Sequence, residues 1–173
     1  KFIGDAVMAL FQSAEDATLA GIEIVQKVEQ LQTPMGALRV GVGINSGDLI
    51  LGTVGNFNRI QTTVIGDVVN VASRIEALTK VTKTSLLLSD ATANQVDLPT
   101  RFLGRFEVKG RQEALGIHQC LTVSSASEMD AITAGSELFS EMTSRPGLIL
   151  QAENTEALNT YTQQFPDDTV AVA

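Results

Sequence analysis

Asn70 and Arg74 stand four residues apart in Val68-Val69-Asn70-Val71-Ala72-Ser73-Arg74, a spacing that sets two side chains on one face of a helix. Beside them Val68, Val71, Ala72, Ile75 and Leu78 form an apolar stripe, so one neutral amide and one permanently charged fork of donors point together off the core. Taken alone, that pattern reads first as an exposed polar face with an idle arginine. A second pair, Lys1 and Asp5, interrupts the otherwise apolar opening KFIGDAVMALF. Asp5 follows Gly4, where a tight turn exposes a carboxylate; by itself it is an ordinary hairpin aspartate. A lone His118 cannot build a histidine-rich metal centre, and a lone Cys120 excludes an internal disulfide and fits a reducing compartment. Metal chemistry therefore falls to carboxylates.

The elements that must carry these residues follow from pattern. Lys1 to Phe11 predicts a β-hairpin turning at Gly4-Asp5. Ser13 with Asp16 three residues on signals a helix start, and Leu19, Ile22, Val25, Val28 and Leu31 supply its apolar side until Thr33-Pro34. Leu38, Val40, Val42 and Ile44 alternate with Arg39, Gly41, Gly43 and Asn45, a strand whose second face is nearly bare. Interior glycines of this kind mark a close approach by another backbone or a ligand, within the domain or across an interface. Asn45-Ser46-Gly47-Asp48 turns the chain into a short strand Leu49-Ile50-Leu51, ended by Gly52 and Gly55. Thr62 to Ile65 predicts a strand, Gly66-Asp67 opens a helix through Lys80, and Ser85 to Leu88, Phe102 to Val108 and Leu115 to Val123 predict further strands.

The 173 residues suffice for one domain with a proper core. No apolar run is long enough to span a bilayer and no signal peptide is visible, so no membrane segment is expected in this stretch. The net charge of −8 argues against a nucleic-acid surface. It is unevenly spread: residues 1–120 carry 11 basic and 12 acidic side chains, whereas 121–173 carry Arg145 against eight acids. With Ser124-Ser125-Ala126-Ser127 reading as a linker, the chain divides into a domain at 1–123 and an acidic helical extension at 124–173.

Four blocks in order, KFIGDAVMALF, LRVGVGINSGDLILGTVG, TTVIGDVVNVASRIE and FEVKG, resemble the catalytic domain of class III adenylate and guanylate cyclases. The resemblance implies an α/β (α+β), ferredoxin-like cyclase domain, a mixed sheet with flanking helices, incomplete at its N-terminus and followed by the helical appendage. It implies conversion of ATP to 3′,5′-cyclic AMP and pyrophosphate. Carried over residue by residue, it assigns Lys1 and Thr63 to the purine, Asn70 to the ribose, Arg74 to the α-phosphate and Lys109 to the terminal phosphates, with Arg111 a weaker candidate read as a solvated turn cation. Asp5 matches the second of two aspartates that hold two Mg²⁺ or Mn²⁺ ions, the first lying upstream of Lys1. Thr63 departs from the aspartate common at its position and resembles a subgroup with a Lys and Thr purine pair, whereas guanylate cyclases carry Glu and Cys.

The same resemblance implies a head-to-tail homodimer in which each nucleotide takes its metal aspartates from one partner and its remaining contacts from the other, so Lys1 and Asp5 serve opposite sites. It also implies a cytoplasmic catalytic domain under an upstream sensor or regulatory domain. With one metal aspartate outside these residues, the stretch alone is expected to be nearly inactive. The competing expectations are a degenerate nucleotide-binding or regulatory dimerisation module and a guanylate cyclase with unusual purine contacts. Asp48, Asp67, His118, Cys120, Asp167 and Asp168 are read as capping, packing or solvated residues.

Overall fold

The computed structural model describes residues 1–34, 36–56, 59–106, 114–123, 126, 129–132 and 134, with the backbone alone for 54–56 and 59–63. The opening hairpin forms as expected. β1 (Phe2–Ile3) and β2 (Ala6–Val7) pair antiparallel, Phe2 with Val7 and Ile3 with Ala6. Gly4 adopts φ 63° in the turn, a conformation open to a residue without Cβ.

α1 (Ala14–Glu29) starts at Ser13, whose hydroxyl accepts from the Asp16 amide at 3.0 Å, satisfying one orphan donor of the first turn. Its buried side keeps Ile22 and Val25 of the expected stripe and departs from the rest. Thr18, Gly21, Ile22 and Val25 face the core, while Leu19 and Leu31 are about half exposed, at 48% and 52%. Residues spaced by three spiral backwards round a helix of 3.6 residues per turn, so a run of them cannot keep to one face. Thr18 tolerates full burial because its hydroxyl donates to Ala14 O at 2.8 Å. The helix also stops short of Thr33-Pro34, and β3 (Gln32–Thr33) and β4 (Gly36–Ala37) form a small unforeseen hairpin there.

β5 (Val42–Ile44) is the paired core of the alternating segment. β6 (Ile50–Asn56) and β7 (Arg59–Ile65) form a long antiparallel hairpin with Ile50 opposite Ile65 and Asn56 opposite Arg59. β6 thus runs through Gly52 and Gly55 instead of ending there, since the pairing with β7 stabilises backbone that glycine alone would weaken. Then come α2 (Asp67–Thr82), β8 (Leu86–Ser89), α3 (Asp90–Ala93), β9 (Thr100–Phe106) and β10 (Leu115–Cys120), which gives way to a 3₁₀ turn at Leu121–Val123 instead of continuing as strand.

The central sheet has the order β5-β8-β10-β9, with β5 and β8 parallel and the other neighbours antiparallel. All four side chains of β8 are buried. Leu87 joins Val71, Ile75, Leu103, Phe106 and Ile117 under α2, whereas Leu86 and Leu88 join Ile22, Val25 and Cys120 under α1. A mixed sheet is therefore covered on both faces by helices. Beyond the 3₁₀ turn, residues 126, 129–132 and 134 are helical and Ile132 is buried.

Candidate active site

The bare face of β5 is where α2 lies. A Cβ on Gly43 would overlap the Glu76 amide and the Ala72 carbonyl, and one on Gly41 would overlap the Thr79 hydroxyl. The missing side chains thus serve packing inside the domain, the one of the two earlier readings of these glycines that the structure supports. Val40, Val42 and Ile44 on the other face pack under α1.

α2 begins at Gly66, which offers no side-chain cap. Residues 45–49 close around that first turn: Asn45 Nδ2 donates to Val68 O at 3.2 Å, and a Cβ on Gly66 would stand 3.3 Å from Asp48 O and 3.4 Å from Leu49 Cα. Sequence reading took Asn45 as a turn residue and missed this tie. With Val71 and Ile75 fully buried below, Asn70 and Arg74 come to the neighbouring face together, as their spacing predicts. Asn70 is exposed and Arg74 half-buried. Arg74 Nη1 is shielded from solvent and has no hydrogen-bond partner among the described residues. A buried donor on a fixed cation is costly to leave unmade, so such a group in a folded protein calls for a reason. An anionic oxygen arriving over α2 would supply one.

Lys1 and Asp5 occupy opposite ends of the first hairpin, which is a sheet of its own apart from the central four strands. Both are exposed. Lys1 O accepts from the Met8 amide at 2.8 Å, extending the ladder beyond Phe2 and Val7. No hydrogen bond or ion pair joins Lys1 or Asp5 to Asn70 or Arg74 among the described residues. The backbone of Thr63 lies in β7 opposite Gly52; its side chain, and Lys109 and Arg111 entirely, fall outside the described residues, as do Asp167 and Asp168.

Among the described residues no three of His, Cys, Asp and Glu gather as a metal cage. Asp5 offers one hard oxygen donor at an exposed turn, which fits Mg²⁺ or Mn²⁺ only as an ion that completes its shell from substrate phosphates and other carboxylates.

A separate polar cluster sits where β10 meets α3. His118 Nε2 lies 2.7 Å from Asp90 Oδ1 and the Arg105 guanidinium 4.0 Å from Asp90 Oδ2. The Phe102 ring packs 5.1 Å from the imidazole. Gly116 makes room for the carboxylate, since a Cβ there would overlap it. His118 therefore has a partner that alternation along the strand could not reveal, although a glycine two residues upstream on the same face was a signal of close approach.

A mixed sheet thus lies between two helices, with Asn70 and Arg74 on the crossover helix and Asp5 on a hairpin that forms a sheet of its own. The profile of the adenylate and guanylate cyclase catalytic domain matches residues 1–137, and the chain belongs to that family. It is 38% identical over 135 residues to an adenylate cyclase of Anabaena cylindrica, covering 69% of this chain and 27% of that protein. It is 33% identical to the terminal-differentiation-specific adenylate cyclase of Dictyostelium discoideum, covering 70% of this chain and 6% of that one. The chain thus spans about a quarter or less of the length of these relatives. Among solved structures, a bacterial light-regulated adenylyl cyclase superposes with a TM-score of 0.62 at 27% identity, over 80% of this chain and 43% of that one. The adenylyl cyclase CyaB of P. aeruginosa does so with a TM-score of 0.52 at 26% identity, over 69% of each chain. The catalytic core of a rhodopsin-guanylyl cyclase with converted specificity, in complex with ATPαS, gives 0.54 at 26% identity, over 69% of each chain. Members of the family generally use divalent metal ions. No helix among the described residues is long and apolar enough to cross a membrane.

Proposed function

We propose that this domain is an adenylate cyclase, converting ATP to 3′,5′-cyclic AMP and pyrophosphate at a seam between two copies of the chain. The observation that carries the proposal is the solvent-shielded Nη1 of Arg74, without a hydrogen-bond partner among the described residues, on the same helical face as Asn70. As the 3′ oxygen bonds to the α-phosphorus and the bond to the β-phosphate breaks, negative charge builds on the oxygens around phosphorus. A guanidinium with one nitrogen already shielded from water, held by a packed helix, meets that charge with little reorganisation. Asn70, one turn earlier, orients the ribose so that the 3′ oxygen faces the phosphorus.

Lys1 donates to adenine N1 and Thr63 reads the exocyclic amine. An ammonium matches the acceptor edge of adenine and leaves a mismatch against the protonated N1 of guanine, which favours ATP over GTP. Lys109 grips the terminal phosphates. Asp5 is the metal carboxylate of this stretch, and the ions it would help hold supply charge neutralisation on the triphosphate and a more acidic 3′ hydroxyl. In a twofold pair with two equivalent sites, Asp5 of one copy faces Asn70 and Arg74 of the other. A second carboxylate would complete the metal site with Asp5. The division into a catalytic domain at 1–123 and an acidic helical extension at 124–173, a cytoplasmic setting, and a sensor domain elsewhere in the protein belong to the same proposal.

The test is conversion of ATP and GTP with Mg²⁺ or Mn²⁺, on this domain together with any residues that precede it in its protein. Cyclic AMP formation that falls about 10²- to 10³-fold on Arg74→Ala is the expected outcome. An active domain indifferent to Arg74→Ala would overturn the assigned site, and one that binds nucleotide without turnover would mark a regulatory module.

A further inference from the structure

Asn45 makes a contact that the residues assigned to chemistry do not account for. Its Nδ2 donates to Val68 O at 3.2 Å, and Asn45 is half-buried. Val68 is the second residue of α2, two before Asn70 and six before Arg74. Its carbonyl has two lone pairs, one for the helix and one free for an outside donor. The need for such a donor follows from how α2 is seated. Gly66 gives the helix no side-chain cap, and Gly41 and Gly43 hold it by shape, through contact with Ala72, Glu76 and Thr79. Packing into a smooth groove resists separation more than it resists sliding or rotation. A directional bond at the first turn fixes both.

We infer that Asn45 is a positioning residue for catalysis: by anchoring Val68 O it sets the axial position and rotation of the first turn of α2, and so of Asn70 and Arg74. The inference rests on the proposed cyclase reading and deepens it. Gly47 supports the same turn, with the position of its absent Cβ 3.3 Å from Val68 Cγ2 and 3.6 Å from Val68 Cβ. Because Asn45 acts through a backbone carbonyl, its loss displaces the groups that meet the transition state. A displacement near 1 Å costs on the order of 10²-fold in turnover.

The test compares Asn45→Asp, which keeps the shape but lacks the N–H donor, with Asn45→Leu and with Asn45→His, whose ring N–H can donate. Kinetics for ATP are measured on the domain with any preceding residues, below the melting temperature of every variant. For Asn45→Asp and Asn45→Leu, kcat should fall about 10- to 10²-fold with KM within about threefold of wild type, and Asn45→His should recover most of the loss. If Asn45→Leu does not fold, the Asp and His pair decides. Unchanged kcat in the donor-less variants, a loss confined to KM, or an Asn45→His variant as poor as Asn45→Asp would each overturn the inference. An inactive wild type would overturn the cyclase reading and this inference with it; an active wild type with indifferent Asn45 variants would overturn this inference alone.

Discussion

Gly43 lies directly against the backbone of Glu76, so close that a single added methyl would overlap the Glu76 amide and the Ala72 carbonyl. A backbone that is part of a helix cannot swing aside as a side chain can. Gly43→Ala should therefore push α2 off β5 and cost about 2 kcal/mol or more, toward the upper end of overpacking effects. Thermal or urea melts read this directly, and an unchanged midpoint would contradict the packing described.

Arg74 should separate activity from stability. Its buried Nη1 has no partner among the described residues, and a buried orphan donor carries a penalty of roughly 1–3 kcal/mol. Arg74→Met keeps the apolar stem and removes the donors. The melting temperature should hold or rise while turnover falls about 10²- to 10³-fold. A variant destabilised in proportion to its lost activity would make Arg74 a structural residue instead.

How much of this was legible in the sequence is clearest from α1 and α2. For α2, Val71 and Ile75 were correctly read as core and Asn70 with Arg74 as a separate face, because the apolar residues recur at 3.6-residue intervals and nothing competes with them. For α1, Ile22 and Val25 of the expected stripe are buried, yet Leu19 and Leu31 stay half exposed and the packed face is shared with Thr18 and Gly21. A Cβ on Gly21 would sit 3.1 Å from Leu86 Cδ1 and 3.3 Å from Ile44 Cδ1. Small residues win there because neighbouring strands crowd in, a property of the partner surface that no local period encodes. The Asn45 tie to Val68 and the His118 pair with Asp90 span 23 and 28 residues, beyond the reach of local pattern. Alternation did place the bare face of β5, and the capping signal did place Ser13.

The His118 and Asp90 pair offers a third prediction. Gly116→Ala would drive the Asp90 carboxylate from its seat and break the 2.7 Å contact with His118. The substitution should cost about 1–3 kcal/mol. Combined with His118→Ala it should cost less than the sum, because both remove the same contact. Strict additivity in the four melts would show that the contact contributes nothing.

Purine choice should follow Lys1 and Thr63. Replacing the ammonium donor by a carboxylate acceptor, with Lys1→Glu and Thr63→Cys together, should lower the preference for ATP over GTP by at least about tenfold, as unpaired polar groups in a binding site are strongly discriminating. The measurement is kcat/KM for both nucleotides on wild type and variant. An unaltered ratio would move purine recognition to other residues.

The composite site is tested most directly by mixing two disabled chains, Asp5→Ala and Arg74→Ala, each with any residues that precede it in the protein. If Asp5 of one copy works with Arg74 of the other, each variant alone is inactive. Random pairing then puts both variants in half of the dimers and leaves one of their two equivalent sites intact, so the mixture should regain about a quarter of wild-type cyclase activity. A mixture as inactive as its components, with dimers present, would place Asp5 and Arg74 in the same site of one chain and contradict the account.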